Sequence, residues 1–287
     1  MNNQQAMIVR TRKDLRAAVE VARQKGKKIG FVPTMGALHD GHISLVEKAG
    51  DKSDYVVASI FVNPAQFAPG EDLDRYPRNE QGDVARLSAA GCSLVYCPSV
   101  GEMYPEGSLT NVRVEEMSDL LDGIYRPHFF YGVATVVARL FIHVGPDVAV
   151  FGEKDYQQLQ IIKRMVRDLG FPIEIIGGKT WRDGDGLAQS SRNAYLSEEE
   201  RQRASAIFSA LHRAASRLRI GVPVEEAIKE ARGFILGAGF SKLDYVSAVD
   251  PATLHDLGDG PLEEGQGCRL LAAAWMGSTR LIDNLGV

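Results

Sequence analysis

IGFVPTMGALHDGHISLVEKAG, residues 29–50, is the stretch whose reading decides the fold. Its first four residues are a short β-prone run that Pro33 ends, whereas from Gly41 onward Ile43, Leu45, Val46 and Ala49 recur at helical spacing. A strand therefore feeds a helix through a glycine-bearing turn. Gly36 and Gly41 permit φ > 0 or a close approach of backbone to a ligand, and a helix N-terminus offers N–H groups and partial positive charge suited to phosphate. His39 and His42 stand three residues apart at the mouth of that helix, and each imidazole can donate to a phosphate oxygen. Alone, two histidines at this spacing are a weak motif, and helix capping or a stray metal are competing readings.

The pattern repeats on both sides. Strand-like runs at 55–62, 94–96, 148–151 and 173–176 alternate with helical spacing near 42–50, 79–90, 133–144 and 155–169. This alternation predicts an α/β fold with a doubly wound parallel sheet. The run YVVASIFV at 55–62 lacks polar alternation, as a strand covered on both faces requires. In such sheets ligands bind beyond the carboxyl ends of the strands, where PTMGALHDGH, the NPAQF after Val62 and the GEKD after Phe151 all fall. A polar stretch at 177–197 then breaks the pattern. Ser197 with Glu200 has the form of a capping box, predicting a helix from there towards Leu218, followed by helical spacing at 224–236 and strand-like runs at 243–249 and 270–275. The expected organisation is a Rossmann-like domain over 1–178 and a smaller C-terminal α+β lid domain over 179–287.

Composition narrows the function. The chain has 287 residues, 45% hydrophobic and 24% charged, which is ample for a core and far from disorder. A net charge of −4 argues against a nucleic-acid partner and towards small molecules. The tract YQQLQIIKRMVRDL carries Lys163, Arg164 and Arg167, which read as one solvated helix face. No apolar stretch reaches the roughly 18 to 20 residues that span a bilayer, and no long apolar leader opens the chain, so no membrane partner and a cytoplasmic location are expected. Cys92, Cys97 and Cys268 form neither a disulfide framework nor a zinc motif and read as core residues.

PTMGALHDGH, SIFVNPAQF, YPR, FGEKDYQQL, DGLAQSSRN and TRLIDN occur in this order between residues 29 and 284, and together they resemble the pantothenate synthetase family of the H-x-G-H nucleotidyltransferases. The resemblance implies an ATP-dependent condensation of pantoate with β-alanine through pantoyl adenylate, releasing AMP and diphosphate. It assigns ATP binding to Met35, Gly36, Ala37, Leu38, His39, Asp40, Gly41 and His42, with His42 as proton donor to the phosphates and His39 beside it. Gly152, Glu153, Lys154 and Asp155 follow as a second ATP segment, Lys154 supplying a compact cation and Asp155 meeting the ribose. Ser190, Ser191 and Arg192 match an SSR element that donates to phosphates, with Trp181 and Gln189 beside the nucleotide. Gln66 is assigned to pantoate and β-alanine and Gln158 to pantoate, with Asn63 in the same wall. A neutral amide orients the attacking carboxylate without damping its nucleophilicity. Magnesium (Mg2+) is expected to arrive with ATP, with no direct protein ligand and Asp83 as an outer-shell candidate. A homodimer is expected from the family.

One segment departs from the family pattern. R-P-x-H-F-x-G-V is written here as Arg126-Pro-His-Phe-Phe-Tyr-Gly-Val133, so Phe129 stands where the family has histidine and His128 precedes it. Either the loop shifts register to bring His128 into place, or its contribution has changed, which bears on β-alanine use. Tyr131 and Ile142 depart from the family pattern in and after the same loop, and Ala65 and Gln189 are milder differences. The competing functions are a nucleotidyltransferase that stops at a nucleotide-linked product, against which the Gln66 and Gln158 pair favours the ligase, and a non-catalytic nucleotide-binding protein, against which the costly charged groups all remain.

Overall fold

The computed structural model describes residues 5–68 and 70–287. Two compact units make up the chain: one runs to Ser118 and adds Arg126–Glu153 and Ile161–Lys179, the other joins Asp119–Tyr125, Lys154–Gln160 and Thr180–Val287. In chain order the elements are β1 (Met7–Val9), α1 (Arg12–Gln24), β2 (Ile29–Thr34), α2 (Asp40–Gly50), β3 (Tyr55–Ile60), α3 (Glu80–Ala89), β4 (Leu94–Tyr96), α4 (Val100–Met103), α5 (Asp122–Tyr125) and α6 (Phe129–Val144). There follow β5 (Val148–Gly152), α7 (Tyr156–Leu169), β6 (Glu174–Gly178), α8 (Glu198–Ala204), α9 (Ala206–Arg219), α10 (Val224–Gly237), β7 (Lys242–Val249), β8 (Arg269–Met276) and β9 (Thr279–Gly286).

The first unit is built on a six-stranded sheet of order β1-β4-β3-β2-β5-β6, parallel throughout. From β2 the chain winds outward through β3 to β4, and later from β5 outward to β6, so the order reverses between β2 and β5. At such a switch point the loops after neighbouring strands diverge and leave a ligand-sized gap. β3 carries Val56, Val57, Ala58 and Ser59 buried, as its unbroken apolar run predicts. It ends at Ile60 rather than Val62: the Phe61 N–H makes a last bond to the Thr34 carbonyl, and Asn63 then starts a single 3-10 turn, Pro64–Gln66. β2 continues through Pro33, which lies past the last β2–β5 pair, Phe31 with Ala149, where an open strand edge tolerates a missing N–H. Helix α1 adds an element that the sequence pattern above does not assign. It has a Thr11 cap and buries Leu15, Val19 and Ala22, a spacing that carries the helical signal in hindsight. Lys163, Arg164 and Arg167 are exposed, and all three cysteines are buried.

His143, on α6, is buried and meets the Tyr96 hydroxyl through Nδ1 at 3.1 Å. Burial, helped by the positive charge of Arg12 and Arg16, pushes its pKa down to about 4. An unfolded histidine titrates near 6.5, so the unfolded chain binds the extra proton first, and this contribution to stability is complete above that pH and is lost as pH falls towards 4. Between pH 7 and pH 4.5 the first unit is expected to lose about 2 to 3 kcal/mol through this residue. Urea unfolding of wild type and His143→Gln at the two pH values checks it, since only the wild type carries that increment.

The second unit holds an antiparallel sheet, β7-β8-β9, with α9 and α10 packed on one face around Leu211, Ala215, Ile235, Leu270 and Ala272. The capping box at Ser197 and Glu200 forms as the sequence predicts, but the helix it starts is interrupted at Ser205 and continues as α9. Strand β9, which local pattern leaves unassigned, pairs along its full length with β8. Its Arg280 reaches Asp122 at 2.6 Å and Asp244 at 2.8 Å, and the Tyr245 hydroxyl donates to Asp122 at 3.1 Å. Burial opposes the charge of Asp244, yet Arg280 and Lys242 hold its carboxyl below the ordinary range. These bonds fix the short 119–125 segment to the C-terminal sheet.

Candidate functional site

In the first unit the turn after β2 is tightly determined. Thr34 Oγ1 donates to the Ser59 carbonyl at 2.7 Å and accepts the Gly36 N–H at 3.2 Å. Gly36 then takes φ +83° and Ala37 φ +51°. The first is legible in the sequence; the second is not, because an alanine in the left-handed region costs about 1 kcal/mol or more and needs outside support. Asp83 provides it, its carboxylate receiving the Ala37 and Leu38 N–H groups at 2.9 Å each. Gly41, expected as a second permissive glycine, lies instead inside the first turn of α2, where any residue's φ would serve.

His39 is the N-cap of α2 and half-buried, as is His42 one turn on. Their rings lie 4.1 Å apart between centroids. The His39 backbone N–H donates to His42 Nδ1 at 3.3 Å, so in the neutral ring the proton sits on Nε2. The pair therefore offers a nitrogen donor at a helix N-terminus, the arrangement that suits a phosphate oxygen. Leu38 is buried and Asp40 exposed, the latter held by Arg86 at 2.6 Å.

A second constellation in the same unit surrounds Gln66, in the turn after β3. Its Nε2 reaches Met35 Sδ at 2.9 Å, which joins the amide to the turn after β2, and its Oε1 accepts from Asn63 Nδ2 at 3.1 Å. Asn63 also donates to the Gly132 carbonyl at 3.1 Å and accepts from the Ala65 N–H and the Tyr104 hydroxyl. All four hydrogen-bonding positions of that amide are occupied by protein. Asn63 thus braces Gln66 within the wall in which the family resemblance places both amides. Gly132, on α6, has to be glycine, since a Cβ there would lie 2.3 Å from the Ala65 carbonyl oxygen.

The divergent loop lies alongside. Arg126 forms a largely buried ion pair with Glu71 at 2.7 Å, and its guanidinium covers the Phe129 ring at 3.8 Å. Phe129 opens α6 and meets Phe130 edge to face, while His128 is exposed. Phe129, not His128, is the residue held against Arg126. Gly152 ends β5 at the switch point, and Glu153 follows it, both half-buried.

In the second unit Lys154 and Asp155 lie 3.5 Å apart at the end of a 3-10 turn leading into α7. The Lys154 carbonyl accepts from Asn284 Nδ2 at 2.8 Å, and Asn284 Oδ1 in turn accepts from Arg269 Nε at 2.8 Å. Gln158 is half-buried, whereas Gln157 beside it is buried and bonded to the Leu120 carbonyl and Asp122 N–H. Adjacent glutamines on a helix point about 100° apart, so one serves structure and the other faces elsewhere. The 180–193 segment folds back on itself: the Gln189 N–H bonds to the Trp181 carbonyl at 2.9 Å, and Gln189 Nε2 to Asp183 at 2.8 Å. Trp181 is exposed; Ser190 caps a 3-10 turn that carries the half-buried Ser191 and Arg192. Arg182 fastens this segment to β9 through a bidentate pair with Asp283 at 2.7 and 2.8 Å. TRLIDN is therefore the strand that anchors both the Lys154 backbone and the SSR segment, a role no local sequence signal announces.

Comparison with known proteins gives three concordant findings. The model of the family described as pantoate-beta-alanine ligase matches residues 7–286. A pantothenate synthetase of Hyphomonas neptunium is 70% identical over 281 residues, covering 98% of this chain and 96% of that protein, and one of Caulobacter vibrioides is 52% identical with 98% of each covered. Among solved structures, pantothenate synthetase from Thermus thermophilus superposes with a TM-score of 0.90 at 48% identity, covering 97% of this chain and 98% of that one. The pantoate-beta-alanine ligase of Francisella tularensis, complexed with beta-gamma ATP and beta-alanine, superposes with a TM-score of 0.78 at 34% identity, covering 98% of this chain and 97% of that one.

Proposed function

The chain belongs to the pantoate–β-alanine ligase family, and on that premise we propose that it condenses pantoate with β-alanine in two steps, adenylating pantoate with ATP and passing the pantoyl group to the amine. The match across residues 7–286 carries the assignment. In the first step the pantoate carboxylate attacks the α-phosphorus, diphosphate leaves, and negative charge accumulates on the phosphate oxygens. In the second the β-alanine amine attacks the acyl carbon and AMP departs. No covalent protein nucleophile is required; the protein's task is to position the groups and stabilise that charge.

From the first unit, the turn of Met35 to His42 is proposed to bind ATP, with Gly152 and Glu153, and Gln66 to orient pantoate and β-alanine. His42 donates through Nε2 and His39 caps the helix beside it. From the second, Lys154, Ser190, Ser191 and Arg192 are proposed as donors to phosphate, Asp155 as the ribose partner, Gln158 as the pantoate amide, and Trp181 and Gln189 as neighbours of the nucleotide. Magnesium is proposed to ride on the ATP phosphates and to neutralise part of their charge. Each Asp83 oxygen already takes one N–H but keeps a second acceptor position, which fits an outer-shell bond to a metal-bound water. A cytoplasmic homodimer without nucleic-acid or membrane partners completes the proposal; no helix among the described residues is long and apolar enough to cross a membrane.

Incubation with ATP, magnesium, pantoate and β-alanine is expected to yield AMP and a new amide in equal amounts, read by mass spectrometry. Diphosphate without amide would favour a nucleotidyltransferase that stops at the adenylate. The Phe129 substitution makes β-alanine the substrate to vary first against longer and shorter amino acids.

A further inference from the structure

The groups that shape the turn after β2 come from one helix. Asp83, 4% exposed, takes two successive backbone N–H groups, those of Ala37 and Leu38, at 2.9 Å each. One turn further along α3, Arg86 donates to the Leu38 carbonyl at 2.9 Å and to the Asp40 carboxylate at 2.6 Å. Together they grip both backbone polar groups of Leu38, the N–H of Ala37 before it and the side chain of Asp40 two residues after it. The grip explains two oddities of the turn. Ala37 stays in the left-handed region because its N–H is bonded to a charge, and Gly36 admits no side chain because a Cβ would lie 2.9 Å from Asp83 Oδ2. The path of residues 36–38 in turn decides where the His39 N–H points, and that N–H donates to His42 Nδ1 at 3.3 Å.

We propose that Asp83 and Arg86 are positioning residues for the phosphate-binding turn: they hold its backbone so that His39 caps α2 and His42 presents Nε2. This rests on the assignment of that turn to ATP. Neither residue needs to touch the nucleotide for the effect, because a displacement of about 1 Å in a donor costs on the order of a hundredfold in rate.

The test uses the full chain with Asp83→Ala, Arg86→Gln, His42→Ala and the Asp83→Ala/His42→Ala double variant, assayed by pantoate-dependent diphosphate release at saturating magnesium. Asp83→Ala is expected to lower kcat/KM for ATP by about a hundredfold while KM for pantoate changes by less than about twofold. Arg86→Gln falls the same way by about three- to tenfold. The double variant is expected within about threefold of His42→Ala alone, since a residue acting through His42 has nothing left to position. Independent losses that multiply in the double variant overturn the proposal. So does a shifted magnesium midpoint with kcat/KM for ATP unchanged at saturating metal, which would make outer-shell metal contact the whole of Asp83's contribution. Should Asp83→Ala not fold, an unaltered kcat/KM for ATP in Arg86→Gln overturns it. The His42 ring NMR signals in the unliganded protein give a readout independent of turnover: they are expected to shift in Arg86→Gln, and unchanged signals count against the proposal. A wild-type protein that makes no AMP would instead overturn the functional assignment.

Discussion

Replacing His42 by alanine is expected to lower pantoate-dependent diphosphate release by about 10²- to 10⁴-fold, the range that a positioned proton donor contributes. The reason lies in the ring's surroundings. With Nδ1 occupied by the His39 N–H at 3.3 Å, the neutral imidazole has one tautomer, and its remaining nitrogen is a donor. Attack on the α-phosphorus gathers charge on oxygens that ATP held more diffusely, so a donor fixed before the reaction stabilises the transition state more than the ground state. The loss is therefore expected mainly in kcat. His42 is half-buried at the start of a helix and packs on His39, so the urea midpoint should move little. A fall of less than about tenfold in a folded variant would remove His42 from the proposed role.

The second large effect falls on stability. Asp283→Asn is expected to cost about 3 kcal/mol of the second unit's unfolding free energy. The Asp283 side chain is fully buried and accepts from both guanidinium nitrogens of Arg182 and from the Asn284 N–H at 2.7 Å. Neutralising it removes the counter-charge of Arg182, whose side chain is only 18% exposed and stacked on Phe208, which leaves little water to take over. The expected value lies at the low end for broken buried pairs because of that residual exposure. Arg182→Met combined with Asp283→Leu is expected to recover most of the loss, since removing both charges removes the desolvation burden. Urea unfolding followed by far-UV circular dichroism measures both; a single-variant loss below about 1 kcal/mol would show that solvent reaches the pair. Because the same strand holds Asn284 on the Lys154 carbonyl, Asp283→Asn also tests whether the segments proposed to handle phosphate depend on β9.

Much of the first unit is legible along the chain because the signals are local. An apolar run without alternation becomes a buried strand wherever it sits, and spacing of three and four makes a helix, so β2, α2, β3, β5 and α7 are predicted near their observed bounds. Helix α1 aside, whose helical spacing is local, the elements that go unassigned are those whose identity depends on partners. β9, TRLIDNLG, mixes charges and apolar residues and becomes a strand by pairing with β8, its Arg280 and Asp283 being satisfied by carboxylate and guanidinium groups far away in sequence. At the turn after β2, the residue types suited to phosphate can be read directly, His39, His42 and a glycine at 36. That Ala37 would be the second left-handed residue cannot, because the compensating bonds come from Asp83, 46 residues on. Asn63 and Gln66 show the same division. Their chemistry as amides is plain from the sequence, but that Asn63 is held on all sides is decided by Tyr104, Gly132 and Ala65 closing around it. By itself the sequence determined the fold class, the family and the kinds of side chain at the site, since these follow from local periodicity and residue chemistry. Only the tertiary structure decided which of those groups are held, by what, and in which orientation, because a hydrogen bond's partner is chosen by distance in space.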